Sequence, residues 1–191
     1  QAEHLGIIDW FTVLLGLVAV VALTIHGANW IIFKTNSELN TKLRKVVFVL
    51  NAVLLVLVVV SLLIWHIIEP NPFHNFLETP WLWIFPIITF TGIFGLFKVK
   101  SFTKDGLGFV FSSLFLFGGF ASTAASIFPK LLPSTNNINP SLTIENVAAH
   151  EYGLSVGMSW FFIALLLVVV YLIVQYKVFK GKMDDVGYGE H

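Results

Sequence analysis

The chain has 191 residues, of which 57% are hydrophobic and only 12% carry a charge. Soluble domains carry about 25% charged residues, so this composition excludes a water-soluble fold. The formal net charge is +0, which gives no sign of a nucleic-acid partner, and there is no cysteine. The lack of thiols excludes disulfides, thiolate metal sites, iron–sulfur clusters and cysteine nucleophiles.

The N-terminal segment, residues 1–9, has neither the basic region nor the small-residue cleavage site of a signal peptide. The first residue is Gln1 rather than methionine. We therefore interpret the chain as a processed or cut product.

Five apolar segments are long enough, or nearly so, to cross a bilayer. A spanning helix needs about 20 mainly apolar residues, because the hydrocarbon core is roughly 30 Å thick. The predicted spans are residues 10–33, 46–68, 81–97, 107–128 and 153–176. They predict an all-α integral membrane protein with five transmembrane helices, a four-helix bundle plus one peripheral helix, in a single membrane domain over residues 1–191. The third span is the shortest and contains Pro86, so we expect it either to tilt little or to borrow flanking residues.

The basic residues are distributed unevenly between the two sides of the predicted spans. Ten of the eleven lie between spans one and two, between spans three and four, or after span five: Lys34, Lys42, Arg44, Lys45, Lys98, Lys100, Lys104, Lys177, Lys180 and Lys182. Lys130 lies on the other side with four glutamates. The positive-inside rule therefore predicts an outer N-terminus and a cytoplasmic C-terminus.

The two predicted outer connections are rich in turn-forming residues. Residues 69–80 contain three prolines, which hold the backbone away from helix. Residues 129–152 combine prolines with Ser, Thr and Asn. This composition predicts a loop ordered by turns and by side-chain bonds to the backbone, either functional or packed on a neighbour.

Six histidines raise the question of a haem, since b-type haems are held by axial histidines from bundled helices. His26 lies near the cytoplasmic end of the first predicted span, and His66 lies at the outer end of the second. These two residues cannot ligate one haem. The alternative is a structural His26 that bonds a neighbouring helix or faces a small polar pocket.

No acidic residue lies inside any predicted span. A proton relay wholly within this chain is therefore not expected, because such relays use intramembrane ionisable groups. The Ser, Thr and Asn residues of the spans have two interpretations, water-holding groups or interhelical packing, and packing is favoured.

The fourth predicted span carries a run of small residues from Phe117 to Ser126. Gly118, Ala121, Ser122 and Ala125 follow the spacing of one helix face. This face predicts close approach to another helix.

The fifth span is bulky throughout, as expected of a lipid-facing or peripheral helix.

The end of the first span combines small, polar and basic residues. It contains His26, Asn29, Trp30 and Lys34, and Arg44 follows in the connection. The basic residues are candidates to pair with anionic lipid head groups or with acids of a partner.

Two stretches carry a family resemblance. HGANWIIFKTNSELNTKLRK (residues 26–45) resembles the fifth-helix motif of the second subunit of cytochrome bd quinol oxidases. FVFSSLFLFGGFASTAASIFPKLLPSTNNINPSLTIENVAA (residues 109–149), with Ser134 and Thr135 in its loop, is similar to the family's pre-final helix and the loop after it. The closing helix and its basic tail are also similar, so the resemblance covers essentially the whole chain.

The resemblance implies the C-terminal half of a haem-free subunit of a respiratory quinol:oxygen oxidoreductase in a bacterial or archaeal cytoplasmic membrane. It implies no catalytic, cofactor or metal residue in this chain, with haems b and d in a partner subunit that reduces oxygen to water. The expected role is assembly and shielding of that partner, with an oxygen or proton route as a further candidate role. A quinone or lipid is a candidate ligand of a groove.

The expected partners are the haem-bearing subunit, membrane lipids, and the missing N-terminal half with four spans, either separate or cleaved. A small single-span subunit is a further candidate. Two alternatives remain, a haem-binding anchor of a respiratory dehydrogenase and half of a secondary transporter. The first needs two histidines at one depth on different helices, and the second needs broken helices or a midplane ionisable site.

Overall fold

The computed structural model describes residues 9–36, 38–68, 73–98, 101, 104–132 and 141–184. The α-helices are α1 (Trp10–Lys34), α2 (Glu38–Ile68), α3 (His74–Glu78), α4 (Ile84–Leu96), α5 (Gly106–Ile127), α6 (Ile144–Val147) and α7 (Glu151–Val178). The strands are β1 (Thr35–Asn36), β2 (Lys130–Leu132), β3 (Leu142–Thr143) and β4 (Met183–Asp184). β1 pairs in parallel with β4, and β2 pairs antiparallel with β3.

Four of these helices, α1, α2, α5 and α7, are long and apolar enough to cross a membrane. α4 and the 3-10 turn before it, Pro80–Trp83, form a shorter apolar helix over Pro80–Leu96. The chain is therefore an all-α integral membrane protein. Five crossings stay a prediction, because Pro80–Leu96 is shorter than the roughly 20 residues that a bilayer core requires.

The structure corrects two predictions, the start of α2 and the helix-free connection over residues 69–80. α2 begins at Glu38, eight residues before the predicted span, because helical hydrogen bonding continues through polar residues that an apolar run does not mark. The prediction of a helix-free connection over residues 69–80 is wrong for His74–Glu78. Pro86 lies in the first turn of α4, where its missing N–H has no helical partner to lose, so it does not break the helix.

Local side-chain bonds define the ends of α1. Asp9 caps its N-terminus, where the carboxylate accepts from the Thr12 N–H at 2.7 Å and the Thr12 hydroxyl accepts from the Asp9 N–H at 3.0 Å. The hydrogen bond from the Thr12 backbone holds the pKa of Asp9 below its usual value. At the other end, Asn40 donates to the Thr35 carbonyl at 2.7 Å, which closes the turn into α2.

The described residues form two compact units. One contains the residues up to 126 together with those from 182 onward, and the other contains residues 127–181. A single membrane domain over residues 1–191 stays a prediction.

The core of the first unit is shared by α1, α2, α4 and α5. Its buried apolar residues are Ala22, Ile25, Ala28, Ile32, Val47, Leu54, Ile93, Leu96 and Phe115. Because each of the four helices contributes to this cluster, the first unit is a four-helix assembly. The helix ends at Lys34, Glu38, Leu96 and Gly106 lie on one side of the bundle, where Gly106 is beside Phe33, Phe97 is beside Phe48 and Arg44 pairs with Asp105; we call this side the basic end of the bundle.

The backbones of α4 and α5 come very close at glycine positions. A Cβ atom at Gly118 would lie 2.6 Å from the Thr89 nitrogen and 2.9 Å from the Phe85 carbonyl oxygen. A Cβ atom at Gly92 would lie 2.7 Å from the Phe111 carbonyl oxygen. Since real Cβ atoms do not approach backbone this closely, glycine is required at both positions.

The second unit contains β2, β3, α6 and α7. The Ile144 N–H donates to the Pro129 carbonyl at 3.0 Å, and Asn146 donates to the Ser141 carbonyl at 3.0 Å. The described part of the 129–152 connection is therefore ordered by side-chain and turn hydrogen bonds, as its composition predicts. No residue of α7 is buried.

Gly118 and Gly119 offer a matched test of the α4–α5 contact. Gly118→Ala should lower the free energy of unfolding by about 1–3 kcal/mol, because the new methyl group collides with α4 backbone. Gly119→Ala should not, since nothing lies within 4 Å of a Cβ at that position. Thermal unfolding in a mild detergent measures both, and equal melting temperatures would contradict the close approach.

Candidate functional site

His26 forms a polar contact between α1 and α5. Its Nδ1 atom lies 2.9 Å from Oγ of Ser112, whose side chain is buried. The Ser112 hydroxyl donates its single proton to the Phe109 carbonyl at 2.9 Å. His26 is therefore assigned as the donor through Nδ1–H, which leaves Nε2 as an acceptor. This is the interhelical bond that the structural interpretation of His26 expects.

Aromatic rings surround this contact on its side toward the basic end. The Phe109 ring lies 4.6 Å from the His26 ring and 5.1 Å from the Trp30 ring, centroid to centroid. The Lys34 ammonium lies 5.3 Å from the centroid of the Trp30 ring and 5.5 Å from that of Phe33, within cation–π range. The first span's polar end is thus packed on α5 through aromatic side chains.

Two asparagines are completely buried in the four-helix core. Asn51 Nδ2 donates to the Ile93 carbonyl at 3.0 Å. The N–H of Phe97 at the end of α4 is directed to Gly95 rather than to Ile93, so Asn51 supplies a donor to the last turn of a neighbouring helix. Asn29 Nδ2 donates to the Ile25 carbonyl of its own helix at 2.9 Å. Neither Oδ1 atom has a hydrogen-bond partner among the described residues.

The hydroxyls of the spans bond mainly to their own helices. The residues that donate to a carbonyl three or four positions earlier are Ser61, Thr89, Thr91, Ser112, Ser113, Ser122, Thr123 and Ser126. Such bonds satisfy the hydroxyl within the membrane without a partner helix. These hydroxyls therefore donate within their own helices rather than to a neighbouring helix.

An ionic cluster joins three segments at the basic end. The Asp105 carboxylate, just before α5, pairs with Arg44 of α2 through one oxygen and with Lys182 through the other. Lys182 also donates to Asn36 Oδ1 at 2.9 Å, beside the β1–β4 pairing. Among the described residues, the cluster contains two cations and one carboxylate. It attaches the segment after residue 181 to the α1–α2 turn.

The structure brings some of the predicted site residues together and separates others. The first group is His26, Asn29, Trp30, Lys34 and Arg44, which lie on α1 or α2 toward the basic end. Gly118 lies nearer the opposite end of α5 and contacts α4, with Ala121 and Ser122 half-buried beside it. Ser134 and Thr135 lie outside the described residues.

The described residues contain no group of three His, Asp or Glu side chains that would hold a metal ion. His26 lies two turns before the end of α1, whereas His66 lies in the last turn of α2. At about 1.5 Å per residue, their positions along the α1–α2 hairpin differ by about 30 Å. One haem cannot take both as axial ligands.

Sequence reasoning missed Asp105, Gly92 and the capping role of Asn51. The signal for Asp105 was its place as a lone acid in an otherwise basic connection. The signal for Gly92 was its pairing with Gly95, three residues on along the same helix. Nothing in the sequence marks Ile93 as the acceptor for Asn51, because the two residues are far apart in the chain.

The ionic cluster predicts that Asp105 protects the chain after α7 from proteolysis. Asp105→Asn should speed trypsin cleavage after Lys182 several-fold, because the neutral amide loses the charge attraction to both cations. Glu38→Gln is the control, since it removes a carboxylate at the same end that makes no ion pair among the described residues. Equal cleavage rates, measured by mass spectrometry of the fragments, would contradict the attachment.

Comparison with known proteins matches nearly the whole chain to one family. Residues 2–179 match the family model of cytochrome bd terminal oxidase subunit II. Probable cytochrome oxidase subunit 2 of Haemophilus influenzae is 28% identical over an alignment of 199 positions that covers 91% of this chain and 53% of that protein. Cytochrome bd-I ubiquinol oxidase subunit 2 of Escherichia coli K12 is 27% identical over 191 residues, which cover 85% and 49%.

The chain spans about half the length of the curated relatives it matches. The matched range includes both stretches that carried the resemblance, residues 26–45 and 109–149. The predicted family is thereby confirmed: this chain belongs to the cytochrome bd terminal oxidase subunit II family.

Proposed function

We propose that this chain is the C-terminal half of the haem-free second subunit of a cytochrome bd-type quinol:oxygen oxidoreductase. In this proposal, haems b and d lie in a partner subunit, where electrons from quinol reduce oxygen to water. This chain supports the assembly of that partner and shields it from lipid. The observation that carries the proposal is the family match over residues 2–179.

The packing of the first unit suits a supporting role. The residues buried in its core are apolar or are hydrogen-bonded asparagines and hydroxyls, and no acid lies within the spans. An apolar wall can exclude water and lipid from a neighbour without taking part in electron or proton transfer. For a route along this chain, that wall favours the passage of oxygen, an apolar molecule, over protons, which need ionisable groups or water.

The proposal includes five crossings, with the N-terminus outside and the C-terminus in the cytoplasm. The crossings are α1, α2, Pro80–Leu96, α5 and α7. The supporting observation is that Lys34, Arg44 and Lys182 all lie at the basic end, which agrees with the positive-inside rule. In this arrangement α7 is the peripheral helix, since all its side chains need a lipid or protein neighbour.

The two alternatives lack a supporting feature. A dehydrogenase anchor needs histidines at one depth, and His26 and His66 differ by about 30 Å along the hairpin. A transporter half needs broken helices, and Pro86 lies in the first turn of α4 without breaking it. Neither alternative accounts for the family match.

His26→Ala tests the haem-free assignment. The assembled complex should keep its full haem absorption spectrum and melt at a lower temperature, because the variant loses the bond to Ser112, which is worth about 1 kcal/mol. Ser112→Ala should have a similar thermal effect, since it removes the same bond from α5. His74→Ala is the control, because that side chain is 60% exposed.

The spectrum decides between the two interpretations of His26. Loss of one haem band in a His26→Ala complex that still assembles would contradict the haem-free assignment. An unchanged spectrum with a lower melting temperature supports the structural interpretation of His26.

The proposal also predicts companions. An affinity tag on this chain should co-purify a haem-bearing subunit and a four-span companion, either as a separate chain or within a longer parent polypeptide, together with lipid and, as a further candidate, a small single-span subunit. Denaturing mass measurement of the purified complex identifies each polypeptide. A stable, haem-free chain purified alone from its native membrane would contradict the companions and the oxidase assignment.

A further inference from the structure

An open groove of about 630 Å³ runs along one face of α4. Its lining includes Ile87, Phe90, Thr91, Phe94 and Lys98 from the α4 side, with Phe111 of α5 beside them. These positions recur at three- and four-residue spacing, which places them on one side of the helix. The groove therefore has an apolar wall and a single ammonium group at the basic end.

The length of this wall matches one leaflet of a bilayer. From Ile87 to its last residue, Leu96, α4 rises about 14 Å at roughly 1.5 Å per residue, and Lys98 follows two residues later. Half of a hydrocarbon core of roughly 30 Å is about 15 Å. An acyl chain that starts beside Lys98 would thus end near Ile87.

The charge of Lys98 is available to a ligand. Arg44 and Lys182 are paired with Asp105, and Lys34 lies over the Trp30 and Phe33 rings. Lys98 makes no ion pair among the described residues, and it lies just beyond the last residue of α4. An anion at this position would meet a positive charge that no described carboxylate neutralises.

We propose that the α4 groove binds one anionic phospholipid, with its phosphate at the Lys98 ammonium and one acyl chain along Phe94, Phe90 and Ile87. A quinone fits less well, because its carbonyl oxygens need hydrogen-bond donors and the wall is apolar. The Thr91 hydroxyl already donates to the Ile87 carbonyl at 2.7 Å. The proposal rests on the proposed function only for the orientation, which places the lipid in the cytoplasmic leaflet.

The test measures lipid binding by the complex purified in mild detergent, titrated with dioleoyl phosphatidylglycerol or dioleoyl phosphatidylcholine and followed by native mass spectrometry. Lys98→Gln should weaken phosphatidylglycerol binding about fivefold, the effect of one lysine at an anionic surface, and leave phosphatidylcholine unchanged. Lys98→Arg should keep the preference. Lys104→Gln is the matched control, because it removes a lysine from the same connection outside the groove.

A second variant tests the apolar wall. Thr91→Phe places a bulky ring in the groove from an exposed position and should weaken the binding of both lipids, while Lys98 keeps its charge. This arm keeps the proposal falsifiable even if Lys98→Gln fails to assemble.

Three outcomes would overturn the proposal. Equal effects of Lys98→Gln and Lys104→Gln would assign the binding to diffuse basic charge. Equal affinity of the native protein for the two lipids would exclude headgroup selection. Loss of a co-purified subunit with Thr91→Phe would place a protein helix in the groove. None of these readouts depends on oxidase turnover, so failure of the oxidase assignment would be seen separately.

Discussion

The close approach of α4 and α5 is the constraint on which the four-helix core depends. Gly118 of α5 lies against the backbone of α4 at Thr89, and Gly92 of α4 lies against the backbone of α5 at Phe111 and Phe115. Helices in lipid gain little from burying apolar surface, since lipid is as apolar as the core. Their association depends on van der Waals contact, which is greatest where backbones meet. The positions of Ile93, Leu96 and Phe115 in the core follow from this contact.

Polar groups in the first unit are handled in two ways. Most hydroxyls return a hydrogen bond to their own helix, so they place no demand on a neighbour. Asn51 and His26 instead bond to other helices, at Ile93 of α4 and Ser112 of α5. These two bonds specify which helices are neighbours and at which depth. Apolar contacts alone would allow several alignments of these helices, whereas the two hydrogen bonds favour one.

At the basic end, ionic contacts join these helices to the segment that follows residue 181. Asp105 pairs with both Arg44 and Lys182, so a single carboxylate connects α2, the start of α5 and the residue that directly precedes β4. Lys98 has no such partner among the residues that the structure describes, so the groove beside it differs electrostatically from the Asp105 cluster. In the proposed oxidase subunit, this end faces the cytoplasm and its anionic lipids.

The sequence by itself determined the membrane class, the approximate positions of the four long apolar helices, and the family. Each of these depends on composition within a window of about 20 residues or on a continuous motif such as residues 26–45. The tertiary structure decided that Gly118 meets Thr89, that Asn51 caps Ile93, and that Asp105 holds Lys182. These contacts join residues far apart in the chain and depend on how each helix is rotated about its axis. A nearly uniform apolar helix carries little information about that rotation, because many of its faces suit lipid and protein equally well.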